Sequence, residues 1–181
     1  MHGLIHAELK RYVEERHGGP ATWNKLLQAS GLGSKMFLTI SEYPDSDAVA
    51  IVTAASQATG KPAGDILEDF GDFIAPTLLK MYGALMKPGW KTLDVIENTE
   101  NTIHSVVRIK NKGAAPPVLK VARVSPVEVV LTYGSPRRMC FVAKGISKGL
   151  ARHFAERVAI TEPACMHKGA AQCEIHIRKI G

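Results

Sequence analysis

Long apolar runs, aromatics and cysteines are all scarce in this chain of 181 residues. No stretch approaches the roughly 20 consecutive apolar residues that a membrane-spanning helix needs, so no membrane association is expected. The N-terminal stretch MHGLIHAELKRYVEERHG alternates apolar and charged residues at helical spacing. It lacks the unbroken apolar core and cleavage site of a signal peptide, and the expected compartment is the cytoplasm. Aromatic residues make up only 6%. A nucleic-acid surface calls for a basic stripe interleaved with aromatics, so the net charge of +6 is read as a solvated basic surface, with no nucleic-acid partner. The densest basic run is at residues 108–112. Such a surface also suits an anionic cofactor or an acidic partner. The three cysteines, Cys140, Cys165 and Cys173, all lie in the last quarter. An odd count in a cytosolic chain argues against a disulfide framework and for metal or redox chemistry. The chain has no internal repeat and no low-complexity segment.

What is present is ordinary for a globular domain: 45% apolar and 22% charged residues, in a length suited to one domain that can carry two lobes. Helical spacing predicts helices over residues 1–17, 23–29 (capped by Thr22), 48–60 (capped by Asp47, with Val49, Ile51, Val52 and Ala55 inward), 63–73 and 77–86. Gly60, Lys61 and Pro62 separate a first helical lobe from the remainder of the chain. Pro76 is read as the start of a new helix. A further helix begins near Thr92 and runs through residues 96–108. After residues 113–117 the character changes. Residues 118–123, 128–133 and 172–178 alternate β-branched residues and read as strands, with one helix over about 141–158 between the last two. The fold class is therefore α+β: an N-terminal helical lobe, then helices packed on an antiparallel sheet.

Three constellations carry chemistry. The first is His104. At 100° per residue it shares one arc with Leu93, Ile96, Ile103 and Val107, so an imidazole sits on the apolar stripe of a helix. Two readings stay open: a core histidine with a hydrogen-bond partner, or a rigidly held metal or haem ligand. Pro116 and Pro117 come after it, and a proline pair offers stiff apolar surface that suits a flat ring or merely a linker. The second is Tyr133, Ser135 and Arg137. In an extended chain, alternate residues share a face, so two hydroxyls and a guanidinium project together, as one or two ligand carboxylates would require. A polar strand end is the plainer alternative. The third is the cysteine triad. With a fourth ligand, Glu162 or His167, it makes a zinc site; without one, the thiols are small buried hydrophobes or a redox pair.

Taken together, His104 in its helix, Pro117 thirteen residues later and Tyr133-x-Ser135-x-Arg137 resemble the H-NOX family, haem sensors of nitric oxide and oxygen related to the haem domain of soluble guanylate cyclase. The likeness spans essentially all of residues 1–181 as one domain, with a distal lobe over 1–62, a proximal lobe over 63–181, and haem b between them. Residues 133–154 and the ending from Cys165 to Cys173 resemble the zinc-bearing bacterial members. The resemblance implies His104 as the proximal iron ligand, Tyr133, Ser135 and Arg137 as binders of the haem propionates, and Pro117 against the porphyrin. Gly71 and the N-terminal helix match the distal wall. Oxygen-binding members carry a distal tyrosine, and the matching position here is Val142. The other pocket positions map to Ile5, Leu9, Ile74, Leu78 and Ile146, all apolar. The implied function is a sensor of nitric oxide and carbon monoxide that excludes oxygen and is not an enzyme. It implies that nitric oxide breaks the His104–iron bond and thereby regulates a separate histidine kinase or cyclic-di-GMP enzyme. For zinc, Glu162 is preferred over His167 on position, beside Cys140, Cys165 and Cys173. A zinc-thiol redox sensor is the alternative function.

Overall fold

A computed structural model describes residues 1–110 and 114–181. Lys112 of the basic run and Gly113 of the linker lie outside the described residues. The chain forms two compact units, Met1–Phe70 and Gly71–Gly181.

The first unit is helical. α1 (Gly3–Arg16) begins where the His2 ring accepts the Leu4 amide, and it buries Leu9, Tyr12 and Val13. The Tyr12 hydroxyl donates to Asp69 at 2.6 Å. Gly18, at φ 96°, turns the chain into α2 (Gly19–Ala29). Pro20 sits in the first turn of that helix, where no amide is needed, so α2 starts before the Thr22 cap that sequence suggests. Trp23, Leu26 and Leu27 face inward. α3 (Asp45–Thr59) likewise starts ahead of Asp47, whose buried carboxylate pairs with Lys35 at 2.7 Å. Ile51 and Val52 are buried, but Val49 is 51% exposed, contrary to its expected inward position. Gly60, at φ 69°, closes the helix in the left-handed conformation.

α4 (Ala63–Tyr82) runs unbroken through Pro76, where sequence predicts two helices. The remaining elements are α5 (Thr92–Thr99), a π-turn (Glu100–His104), α6 (Ser105–Lys110), β1 (Val118–Ser125), β2 (Glu128–Gly134), α7 (Cys140–His153), β3 (Val158–Ala164) and β4 (Cys173–Lys179). An interior proline leaves the carbonyl four residues back, Asp72, without its helical donor. α7 closes on that place through a glycine. A Cβ on Gly149 would stand 2.5 Å from the Ala75 Cβ and 2.7 Å from the Asp72 oxygen. A Cβ on Gly71 would stand 2.3 Å from the Val142 oxygen. The two helices therefore cross backbone to backbone, and the Arg152 guanidinium reaches Asp72 beside the crossing.

The sheet is antiparallel throughout, in the order β1-β2-β4-β3. β3 corrects the sequence reading, which extends the preceding helix to residue 158. The helix ends at His153, and Ala155, at φ 54°, reverses the chain. The missed strand has weak alternation and contains Pro163, which an edge strand tolerates because one side needs no ladder donor. Val129, Leu131 and Tyr133 of β2 face the core beside Ile177, Ile175 and Cys173 of β4. Leu79, Leu93, Ile96 and Leu150 pack against that face. Each fully buried side chain of this size stabilises by about 1.5–3 kcal/mol. No helix among the described residues is long and apolar enough to cross a membrane.

The glycine crossing gives a direct test. Gly149→Ala places a methyl against backbone and is expected to destabilise by about 1–3 kcal/mol in denaturant titration. Gly83→Ala, where nothing lies within 4 Å of the added carbon, should change stability far less.

Candidate functional site

The helix that carries His104 is not one regular helix. The Ser105 amide bonds to the Glu100 carbonyl, five residues back, so a π-turn interrupts it. The extra residue shifts the register, and Ile103 and Val107 leave the stripe defined by Leu93 and Ile96. Leu93 and Ile96 are buried, whereas Ile103, His104 and Val107 are half-buried. The single arc drawn from sequence is thus corrected by the turn itself.

The same shift assembles a cluster around Glu100. In an unbroken α-helix, residues at i, i+4 and i+7 share a face. One inserted residue brings Arg108 into the place of i+7. His104 Nδ1 lies 3.0 Å from Glu100 Oε2, and Arg108 Nη2 donates to Oε1 at 2.7 Å. The Leu119 amide at the start of β1 donates to Oε2 at 3.2 Å. Burial alone would raise the Glu100 carboxyl, but its bonds to His104, Arg108 and Leu119 hold it below the usual range. An ionised carboxylate only accepts, so Nδ1 is the protonated nitrogen. Burial lowers the His104 pKa against the pull of Glu100, which keeps the ring neutral. The backbone of Pro117 also hydrogen-bonds the ring. A ring nitrogen held by a carboxylate is an arrangement that metal-ligating histidines use.

Tyr133, Ser135 and Arg137 come together differently from the extended face that sequence suggests. β2 ends at Gly134, and the Arg138 amide returns to the Ser135 carbonyl at 3.1 Å in a turn. Tyr133 and Ser135 are buried and their side chains are hydrogen-bonded; burial pushes the phenol pKa up. Ser135 Oγ accepts the Arg137 amide at 3.2 Å, and the Arg137 guanidinium reaches the Ala115 carbonyl. The three residues are adjacent, joined by the turn rather than aligned along a strand.

A second cluster gathers Cys140, Glu162, Cys165 and Cys173, with their donor atoms within 4.8 Å of one another. Cys140 opens α7, Cys173 opens β4, and Glu162 lies where the β3–β4 register slips, a bulge that re-aims side chains. The Cys140–Cys165 and Cys165–Cys173 sulfurs are each 4.0 Å apart. Tetrahedral zinc with Zn–S of about 2.3 Å needs sulfurs about 3.8 Å apart, so the donors nearly meet the requirement. Glu162 Oε2 accepts from Lys144 at 3.0 Å, and Oε1 is buried beside the thiol cluster. Burial raises that carboxyl, but the Lys144 ammonium outweighs it and keeps it ionised. Burial pushes the Cys140 and Cys173 thiols up, a penalty that a bound cation reverses. The rival His167 is turned away: its Nε2 meets the Arg138 carbonyl at 2.7 Å.

The sequence profile of the HNOB family, described as haem-NO-binding, matches residues 2–162. The chain belongs to the haem-NO-binding family. No curated protein matches it. Among solved structures, it resembles an H-NOX protein from S. oneidensis in the Fe(II)NO ligation state, at 26% identity and TM-score 0.92 over 100% of both chains. An NMR structure of the Shewanella oneidensis SO2144 H-NOX domain in the Fe(II)CO state matches at 26% identity and TM-score 0.87, covering 100% of this chain and 99% of that one. An Fe(II) unliganded H-NOX protein from K. algicida shares the fold at 20% identity and TM-score 0.88, covering 100% of this chain and 97% of that one. Haem-NO-binding domains are haem-based gas sensors and are not themselves catalytic.

Within this haem-NO-binding chain, the apolar positions carried over by resemblance lie on three helices. Ile5 and Leu9 are on α1, half-buried and buried. Ile74 is buried and Leu78 half-buried on α4, and Val142 and Ile146 are half-buried on α7. None carries a hydrogen-bond donor on its side chain. Sequence reasoning missed Glu100 and Lys144. Glu100 stands four residues before His104, and i,i+4 spacing on a helix is the signal for it; Lys144 meets Glu162 from another element, which no local spacing reveals.

Proposed function

We propose that the protein is a haem-based sensor of nitric oxide and carbon monoxide that excludes oxygen and signals to a separate chain. The observation that carries this reading is His104, fixed through Nδ1 by the Glu100 carboxylate, so that Nε2 would be the nitrogen offered to a haem iron. Haem b, when bound, supplies an iron with one open coordination position for a diatomic gas. Tyr133, Ser135 and Arg137 are the proposed partners of its two propionates, since hydroxyls and a guanidinium in one cluster match a pair of carboxylates. Pro117, whose backbone hydrogen-bonds the His104 ring, is the proposed residue against the porphyrin. Val142, Ile74, Leu78 and Ile146, with Ile5 and Leu9, offer no donor to a polar bound oxygen, while nitric oxide and carbon monoxide have less need of one.

A change at His104 is the proposed signal. His104 is the last residue of the π-turn, so loss of its hold on a bound haem would act on a segment already out of α-register. Such a change is a shift between two states, and it needs a ligand with different affinity for each. We take residues 1–62 as the distal lobe and 63–181 as the proximal lobe of one domain. The partner in this reading is a histidine kinase or a cyclic-di-GMP enzyme, and the setting is the cytoplasm. The protein itself is not an enzyme.

The thiol cluster is proposed to hold zinc through Cys140, Cys165, Cys173 and Glu162. A redox role for the same thiols is the second reading, favoured by the 4.0 Å sulfur separations. Burial weighs against it, because raised thiol pKa values suppress the reactive thiolate.

Two measurements test these readings. Ferrous haem-loaded protein opened to air should keep its unliganded spectrum and shift on adding carbon monoxide or nitric oxide; a stable oxygen complex contradicts the exclusion of oxygen. Zinc titration of the metal-free protein should reach one equivalent. Glu162→Ala should weaken zinc binding by at least about tenfold, while His167→Ala leaves it near that of the unaltered protein. The reverse order would reassign the fourth ligand.

A further inference from the structure

We propose that Glu100 is the positioning residue of His104: its carboxylate takes the Nδ1 proton in a hydrogen bond, fixes the ring and sets the electron density available at Nε2. This rests on the haem reading above.

The geometry is specific to this segment. The π-turn brings His104 and Arg108 onto the same carboxylate, with His104 on Oε2 and Arg108 on Oε1. Leu119 ties Oε2 to the first residues of β1 through its backbone amide. The His104 side chain is 14% exposed and that of Glu100 22%, so the bond is shielded from water more than a surface pair. A carboxylate on the second ring nitrogen makes an imidazole a stronger donor and holds its plane. Arg108 works in the opposite sense. Its positive charge on the other oxygen draws density from the carboxylate and so from the ring. The strength of the His104 bond to a metal is therefore a balance of two neighbours four residues to either side. Leu119 couples the same carboxylate to the sheet edge, so a ring that leaves its ligand position pulls on one acceptor shared with β1.

The balance predicts opposite signs, which simple loosening of the helix does not. In ferrous haem-loaded protein, Glu100→Gln should lower the iron–histidine stretching frequency. It should also weaken the His104 bond by on the order of tenfold, read as a larger fraction of the nitric oxide form lacking that bond. Arg108→Ala should move both readouts the other way. Arg108 is partly exposed, at 37%, so this variant is expected to fold even if Glu100→Gln does not. In haem-free protein, Glu100→Ala should speed hydrogen exchange at the Leu119 amide. Unmoved frequencies in both variants, or shifts of the same sign, overturn this inference while leaving the haem reading intact. Failure of the unaltered protein to take up haem overturns both.

Discussion

The helix that keeps Leu93 and Ile96 on the core also carries Glu100, His104 and Arg108, and a π-turn inserts one residue between the two stretches. With that insertion His104 and Arg108 both meet Glu100. The carboxylate of Glu100 collects the imidazole, the guanidinium and the Leu119 amide, and the ring faces Pro117 where the chain enters β1. Turns of this kind replace one backbone bond geometry with a weaker one. Here three hydrogen bonds to one carboxylate offset the loss, each worth about 1.5–3 kcal/mol where a charged group takes part.

The thiol cluster depends on a comparable local irregularity. A regular β3 would alternate its side chains without a break. The slip between Thr161 and Ala164 turns Glu162 toward sulfurs supplied by a helix start and a strand start. Burial opposes a thiolate at Cys140. A divalent cation removes that opposition. The cluster also joins α7, β3 and β4 at one point in the core, so a metal there would brace the sheet against the helix that crosses α4.

Sequence made most of this legible, and the gaps have identifiable causes. The α+β order, the strands β1, β2 and β4, and the grouping of Cys140, Cys165 and Cys173 come from spacing and residue type, while the preference for Glu162 over His167 comes from the family resemblance. Three features did not. β3 is missed because Glu162 and Pro163 blur its alternation and the chain turns out of the preceding helix through Ala155, a residue type that rarely takes a positive φ. Pro76 was read as a helix start, since nothing local reveals that Gly149 covers the carbonyl it leaves open. The π-turn was invisible to a fixed 100° period. The fixed period places His104 on the core stripe, and it gives no weight to Glu100 even though i,i+4 spacing marks the two as neighbours.

The central claim is that His104 is the iron ligand. The most direct measurement is the absorption spectrum of ferrous protein after haem loading, compared between the unaltered chain and His104→Ala. A stoichiometric Soret band that is lost or displaced in His104→Ala, and restored by added imidazole, is the predicted result. No band in the unaltered protein, or identical spectra for the two, would contradict it.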